Sequence, residues 1–214
     1  SGLDSTVNLY QALQVSQVVL ALTFDYGQRA APREIAFAQR TCGHLGVPHK
    51  VLDLKWFAEF TQTSLVAHDQ SVPKASQVSI DDLGVSNQTA KAVWVPNRNG
   101  IFLNIAAGFA EGLGAKWVVP GFNIEEAATF ADNTQGFLDA ATASFKFSTA
   151  SHIEAKCFTT DLNKTEIVRL GAKLKVKFAH IWPCYFGGEI ACGECESCQR
   201  FSRAKENGLK PEKV

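Results

Sequence analysis

The chain has 214 residues, 46% of them apolar, which suits one ordinary domain or one domain with a small appendage. Its 21 Lys and Arg balance 21 Asp and Glu, so no basic field argues for a nucleic-acid partner. No run approaches the roughly 18 apolar residues of a membrane span and no secretory signal opens the chain, so the expectation is a soluble protein with no membrane contact.

The chain opens with Ser1-Gly2-Leu3-Asp4-Ser5-Thr6 and continues as a helix through Leu9 and Leu13. Small residues ahead of a helix expose several backbone N–H groups, and the helix dipole adds partial positive charge. Gly2 lets a phosphate approach the backbone. Ser1, Ser5 and Thr6 offer hydroxyls, and Asp4 can hold magnesium or orient the loop. Taken alone, the same residues also fit a plain Ser/Asp helix cap, the commoner case.

Val18–Phe24 is a continuous apolar run, which predicts a strand covered on both faces. Pro32 starts a helix that ends near Gly43 to Gly46, and His49–Leu54 reads as a short strand. Thr61 to Ala92 is polar without a clear period, and reads as a surface excursion or lid. A helix from about Asn99 to Glu111 precedes a strand at Lys116–Pro120, then a polar loop through Asn133 and a helix from about Gln135. A strand follows within Ile153–Phe158, and the Asn163-Lys164-Thr165-Glu166 stretch starts another helix. Asn163 is its cap, with Glu166 three residues on, and Lys164 sits on the first turn, where a cation and free N–H groups together can grip phosphate. A surface lysine on a capped helix fits as well. Alternating strands and helices predict an α/β fold with a parallel sheet and helices on both faces. The loops after Phe24, Val95, Pro120 and Phe158 then share the ligand-binding edge.

Cys184, Cys192, Cys195 and Cys198 crowd into fifteen residues near the end of the chain. Two-residue gaps favour a metal over disulfides, and a reducing cytoplasm over secretion. Four thiolates suit a closed, structural zinc site, with an iron–sulfur cluster as the rival. Gly193 turns the chain between ligands, and Gly187-Gly188 gives slack. Cys42 and Cys157 stand apart in apolar settings and read as core residues.

The loop SGLDST resembles the SGGxDS signature of the PP-loop, or N-type ATP pyrophosphatase, family. In order, SGLDST, FDYGQR, VPNRNGIFL, GFNIE, a Lys-led TEIVRLG helix and PCYFGG…CGECESC resemble its 7-cyano-7-deazaguanine synthase branch over nearly the whole chain. The resemblance implies a Rossmann-like fold of the adenine nucleotide alpha hydrolase type over 1–180, a zinc-binding appendage over 181–214, and a homodimer. It implies that ATP activates the carboxylate of 7-carboxy-7-deazaguanine, that ammonia gives an amide, and that a second activation dehydrates it to the nitrile precursor of queuosine. By the same likeness Ser1, Gly2, Leu3, Asp4, Ser5 and Thr6 hold ATP with Mg2+. Asp4 and Lys164 serve catalysis, with Lys164 on the phosphates or the activated oxygen. Tyr26, Gln28, Arg98 and Asn99 face the base or its carboxylate, Asn123 and Glu125 read the deazaguanine, and Cys184, Cys192, Cys195 and Cys198 hold zinc.

The sequence departs from that pattern in its single loop glycine, at Ala30, where His is usual, and at Thr134, where Arg is usual. These departures leave open a paralogue acting on a different deazapurine or carboxylate. A PP-loop tRNA thiolase or lysidine synthase would predict a basic face and reactive cysteines, against the balanced charge and the clustered thiols. A zinc-stabilised nucleotide-binding module without turnover is the non-enzymatic alternative.

Overall fold

The computed structural model describes residues 1–67 and 69–210. Its first helix, α1 (Leu3–Val15), springs from Gly2, whose extended backbone accepts the Thr6 N–H at 3.1 Å. β1 (Ala21–Asp25) then runs parallel to β2 (His49–Asp53), in register from Ala21 against His49 to Asp25 against Asp53. The connecting helix α2 (Ala31–Leu45) has Pro32 in its first turn and stops at Gly46, which takes the left-handed φ of 66°, as the Pro-start and Gly-stop pattern predicts.

The stretch expected to be a featureless excursion contains helix α3 (Leu83–Val93), capped by the Asp82 carboxylate, which accepts the Gly84 and Val85 N–H groups. Nor is it a free lid. The Arg29 guanidinium donates to the Ser64 and Ala67 carbonyls, Lys74 bridges Cys195, and Arg203 pairs with Asp81. His68, also within that stretch, lies outside the described residues. The partners of Ser64, Ala67, Lys74 and Asp81 come from distant sequence, so no local period announces the order.

α4 (Arg98–Gly112) leads to β3 (Trp117–Val118), and the expected polar loop folds instead into a short helix, α5 (Ile124–Ala127), and a single 3-10 turn at Ala131–Asn133. α6 (Gln135–Ser148) returns the chain to β4 (Glu154–Ala155), parallel to β3. α7 (Lys164–Lys173) opens with the expected capping box: Asn163 accepts from the Glu166 N–H, and Glu166 accepts from the Asn163 N–H. α8 (Glu196–Gly208) closes the described chain, and residues 211–214 of the expected appendage lie outside it.

The fold is α/β with parallel strands. Among the described residues the strands form two separate pairs, β1 with β2 and β3 with β4. An apolar cavity of about 640 Å³ lies between them, bordered by residues 18–24 and 115–122. β1 is therefore half-buried at every position rather than covered on both faces. Val7, Ile167, Val168 and Phe201 pack α1, α7 and α8 together, while Leu103, Leu138, Phe145 and Ile153 join α4 and α6 to the second strand pair. Where fully buried, each such side chain contributes about 1.5–3 kcal/mol. No helix among the described residues is long and apolar enough to cross a membrane.

One glycine sets the distance between the two loops that frame the site. A Cβ on Gly121 would lie 2.2 Å from the Ser5 nitrogen and 2.5 Å from its Cα. Gly121→Ala is expected to force the loop after β3 away from the start of α1, at about 1–3 kcal/mol, read as a Tm lowered by several degrees in thermal unfolding. An unchanged Tm would refute the close approach.

Candidate active site and cysteine knuckle

Three helix starts converge on one buried ion cluster. Asp4 belongs to the first turn of α1, Glu126 to α5 and Lys164 to the first turn of α7. The Lys164 ammonium lies 2.9 Å from Asp4 Oδ2 and 2.7 Å from Glu126 Oε1, its side chain 8% exposed. Asn123, fully buried, donates to Asp4 Oδ2 at 3.2 Å and accepts the Glu126 N–H, which caps α5. Burial by itself would discharge the lysine, but the two carboxylates outweigh it and raise its pKa, so the amine stays protonated. Burial likewise works against Glu126, yet the Lys164 charge holds its carboxyl below the usual range. Asp4 is pushed up by burial, and Lys164 only partly opposes this.

Two carboxylates against one ammonium leave negative charge over when both are ionised. Asp4 Oδ1 and Ser1 Oγ are moreover buried without a hydrogen-bond partner. A buried carboxylate oxygen with no donor is costly, and a hard divalent cation is the kind of group that satisfies it. The donor set fits Mg2+ with a nucleotide phosphate.

The other expected residues divide into two groups. Arg98 donates to the Tyr26 hydroxyl at 3.3 Å, and Asn99 donates to the Asp132 carbonyl at 3.3 Å. Burial raises the Tyr26 pKa against the pull of Arg98, so its phenol is neutral. Arg98 borders a cavity of about 140 Å³ with Glu125, Glu126, Phe130, Asp132 and Tyr185. Gln28, by contrast, is engaged in holding its own turn: its oxygen accepts the Tyr26 N–H, and its amide donates to the Phe24 carbonyl and to Glu34. Glu125 accepts the Lys164 N–H at 2.8 Å and pairs with Arg200 at 3.1 Å.

The departures at Thr134 and Ala30 have local roles. Thr134 caps α6, accepting the Phe137 N–H and donating to the Ala131 carbonyl, and it does not border the 140 Å³ cavity. Ala30 is buried against Trp182, Cys184 and Cys195, where the loop after β1 meets the knuckle.

The sulfurs of Cys184, Cys192, Cys195 and Cys198 lie within 4.8 Å of one another, a group able to hold a metal ion. Cys184 accepts hydrogen bonds from the Cys195 and Cys198 thiols and from the Cys192 and Phe186 N–H groups, which hold it down to about 2 despite burial. The Cys192 sulfur accepts from the Glu194 and Cys195 N–H groups. Amide donors aimed at sulfur favour thiolates, the form that binds metal. Gly193 turns with φ 73°, as expected. Gly187 is no slack loop residue: a Cβ there would sit 2.4 Å from the Arg29 carbonyl oxygen. Cys42 is buried, and Cys157 half-buried against Asn8 and Thr159.

Several residues of the site carry no sequence signal of their own. Asn8, buried on α1, donates to the Asp4 carbonyl and Thr159 and accepts the Phe158 N–H, stitching the first loop to the end of β4. Glu126 is hidden beside Glu125, where only the turn of α5 decides which carboxylate meets the lysine. Tyr185 enters through the cavity and Arg200 from the far end of the chain, whereas Asp132, which also borders the cavity, aligns with the aspartate of the family pattern.

The comparisons with known proteins agree across the chain. The family model described as queuosine biosynthesis protein QueC matches residues 1–208. The chain is 57% identical over 205 residues to the 7-cyano-7-deazaguanine synthase of Bdellovibrio bacteriovorus, covering 95% of this chain and 89% of that protein. It is 46% identical over 205 residues to the enzyme of that name from Carboxydothermus hydrogenoformans, covering 96% of this chain and 94% of that one. For the Desulforamulus reducens enzyme the identity is 49% over 203 residues, covering 95% and 89%.

Cys195→Ser is expected to lose bound metal and stability together. Elemental analysis should fall from about one ion per chain to a small fraction, with a lowered Tm. A metal-free variant as stable as the parent would remove the structural role.

Proposed function

The chain belongs to the queuosine biosynthesis protein QueC family, and we propose that it is an ATP-dependent ligase converting 7-carboxy-7-deazaguanine and ammonia to 7-cyano-7-deazaguanine. The observation that carries this reading is the buried Asp4–Lys164–Glu126 cluster at three helix starts, beside a cavity of a base's size.

A carboxylate is a poor electrophile until one oxygen carries a phosphoryl or adenylyl group. To the ATP phosphates we assign the N–H groups in the first turn of α1 and the Ser1, Ser5 and Thr6 hydroxyls, since a helix start favours an anion. Lys164, kept protonated by its two carboxylates, stabilises charge developing on phosphate or on the activated oxygen. Mg2+, when bound, neutralises phosphate charge, and Asp4 is the residue that would hold it. To the substrate carboxylate we assign Arg98, which borders the 140 Å³ cavity and is a planar cation suited to it, with Asn99 beside it in sequence. Asp132 and Glu126 offer acceptors to the N–H donors of the deazaguanine edge, and Phe130 and Tyr185 supply aromatic faces. Ammonia attacks the activated carboxyl carbon and expels the phosphate-bearing oxygen to leave the amide. Activation of the amide oxygen and loss of a second leaving group, with the two amide protons, gives the nitrile.

The substrate and reaction come from the relatives' names, and the 140 Å³ cavity with its carboxylates and aromatics supports them. The local role of Thr134 as a helix cap favours the family substrate over that of a paralogue. Zn2+ is the ion we assign to the knuckle, since four thiolates close its coordination and leave no open position. Work in the cytoplasm and assembly as a homodimer complete the reading.

Incubation with ATP, Mg2+, ammonium and 7-carboxy-7-deazaguanine is expected to give the nitrile by mass spectrometry. No conversion with ATP still bound would point to another carboxylate. Asp4→Asn keeps the side-chain shape but removes its charge. It should lower turnover on the order of 100-fold or more while the protein stays folded, and full activity would strip Asp4 of its role.

A further inference from the structure

Helix α8 carries two metal-binding thiols at its start and, one turn further on, a guanidinium directed away from them. Arg200 is 11% exposed at its side chain and faces two carboxylates. Its Nε and one terminal nitrogen donate to Glu196 Oε1 at 3.0 and 2.8 Å, and its other terminal nitrogen donates to Glu125 Oε2 at 3.1 Å. The second oxygen of Glu125 accepts the backbone N–H of Lys164 at 2.8 Å. A single carboxylate therefore spans the gap between the knuckle helix and the residue that carries the buried ammonium.

We propose that Arg200 is a positioning residue for Lys164, acting through Glu125; this rests on the reading of Lys164 as the cation that meets the phosphate or activated oxygen. Glu125 is adjacent in sequence to Glu126, whose carboxylate lies 2.7 Å from the Lys164 amine. Without Arg200, the partly buried Glu125 carboxylate would keep, among the described residues, only the longer ion pair to Arg203, whose nearest nitrogen is 3.7 Å away and more exposed. A carboxylate deprived of its buried cation gains by turning to water, and Glu125 would leave the first turn of α7. That turn also has reason to move, because a lysine at a helix start sits at the unfavourable end of the dipole. Arg200 offsets both effects. Its planar fork fixes Glu125 in direction as well as in charge, which an ammonium on a flexible stem does less well. The cysteine knuckle thereby sets the geometry of the ion cluster with no thiol contacting the substrate.

The test uses the full-length, metal-loaded protein and its Arg200→Ala, Arg200→Lys and Glu125→Ala variants. The first readout is the rate of acetylation of Lys164 by acetic anhydride, mapped by mass spectrometry against exposed Lys55 and Lys74. In the parent, Lys164 should be strongly protected. Arg200→Ala and Glu125→Ala should each raise its labelling tenfold or more relative to those lysines, the double variant no further, and Arg200→Lys should fall between. The second readout is steady-state kinetics, in which kcat should fall at least tenfold while KM for ATP stays within twofold. Unchanged Lys164 protection in a folded Arg200→Ala protein would overturn the proposal. So would additive effects of the two changes, or a loss confined to KM. If Arg200→Ala fails to fold, Glu125→Ala, which removes the acceptor itself, reads the same link from its other end, and unchanged protection there overturns it equally. Absence of nitrile formation by the parent would sink the ligase reading alone, because the labelling needs no turnover.

Discussion

A protonated lysine buried between two carboxylates is the interaction on which this molecule's organisation turns. A charge with so little water around it is tolerated only when paired, and removing one partner of such a group costs about 3–5 kcal/mol. Lys164 meets Asp4 from α1 and Glu126 from α5. The requirement to keep those three charges together therefore ties the first helix, the loop after β3 and the start of α7. Asp4 is well placed at a helix start, where the dipole favours an anion; Lys164 is badly placed at one. The helix alone would not choose a lysine there. The carboxylates hold it, and the position suits an incoming phosphate more than it suits the stability of α7.

Polar side chains with no charge complete the frame. Asn123 fixes the free rotation of Asp4 and caps α5, and Asn8 binds α1 to the Phe158–Thr159 segment. Gly121 lets the loop after β3 lie against the Ser5 backbone. The loops approach closely because small or amide-bearing residues occupy the contact, which keeps the site narrow and its charges coupled.

The cysteine knuckle is built into the same framework. Gly187 touches the Arg29 carbonyl, Trp182 donates to the Ser1 carbonyl, and Ala30 is buried among the knuckle residues. The alanine that replaces a usual histidine fills a tight contact here. Lys74 and Arg203 bring the 61–92 stretch onto the knuckle as well. The four-cysteine knuckle thus acts through geometry, as a clamp on the loop after β1 and the start of the chain.

Much of this was legible in the sequence. The Pro32 start and Gly46 stop of α2 and the Asn163–Glu166 capping box are local devices, set by backbone groups within a turn of the residue that satisfies them. The clustering of the four cysteines is equally local, because adjacent ligands must reach one ion. Harder to read were α3, whose order depends on distant partners, and the division of the strands into two pairs, which depends on which edges find neighbours. The sequence by itself determined the class of chemistry, through the types and order of its loop motifs, and which residues could carry charge. Only the tertiary structure decided that Glu126 rather than Glu125 meets the Lys164 amine, that Gln28 braces its own turn, and that Arg200 reaches the site. Those outcomes follow from angles and distances between segments far apart in the chain, where a rotation of one residue along α5 exchanges the partners of two neighbouring carboxylates.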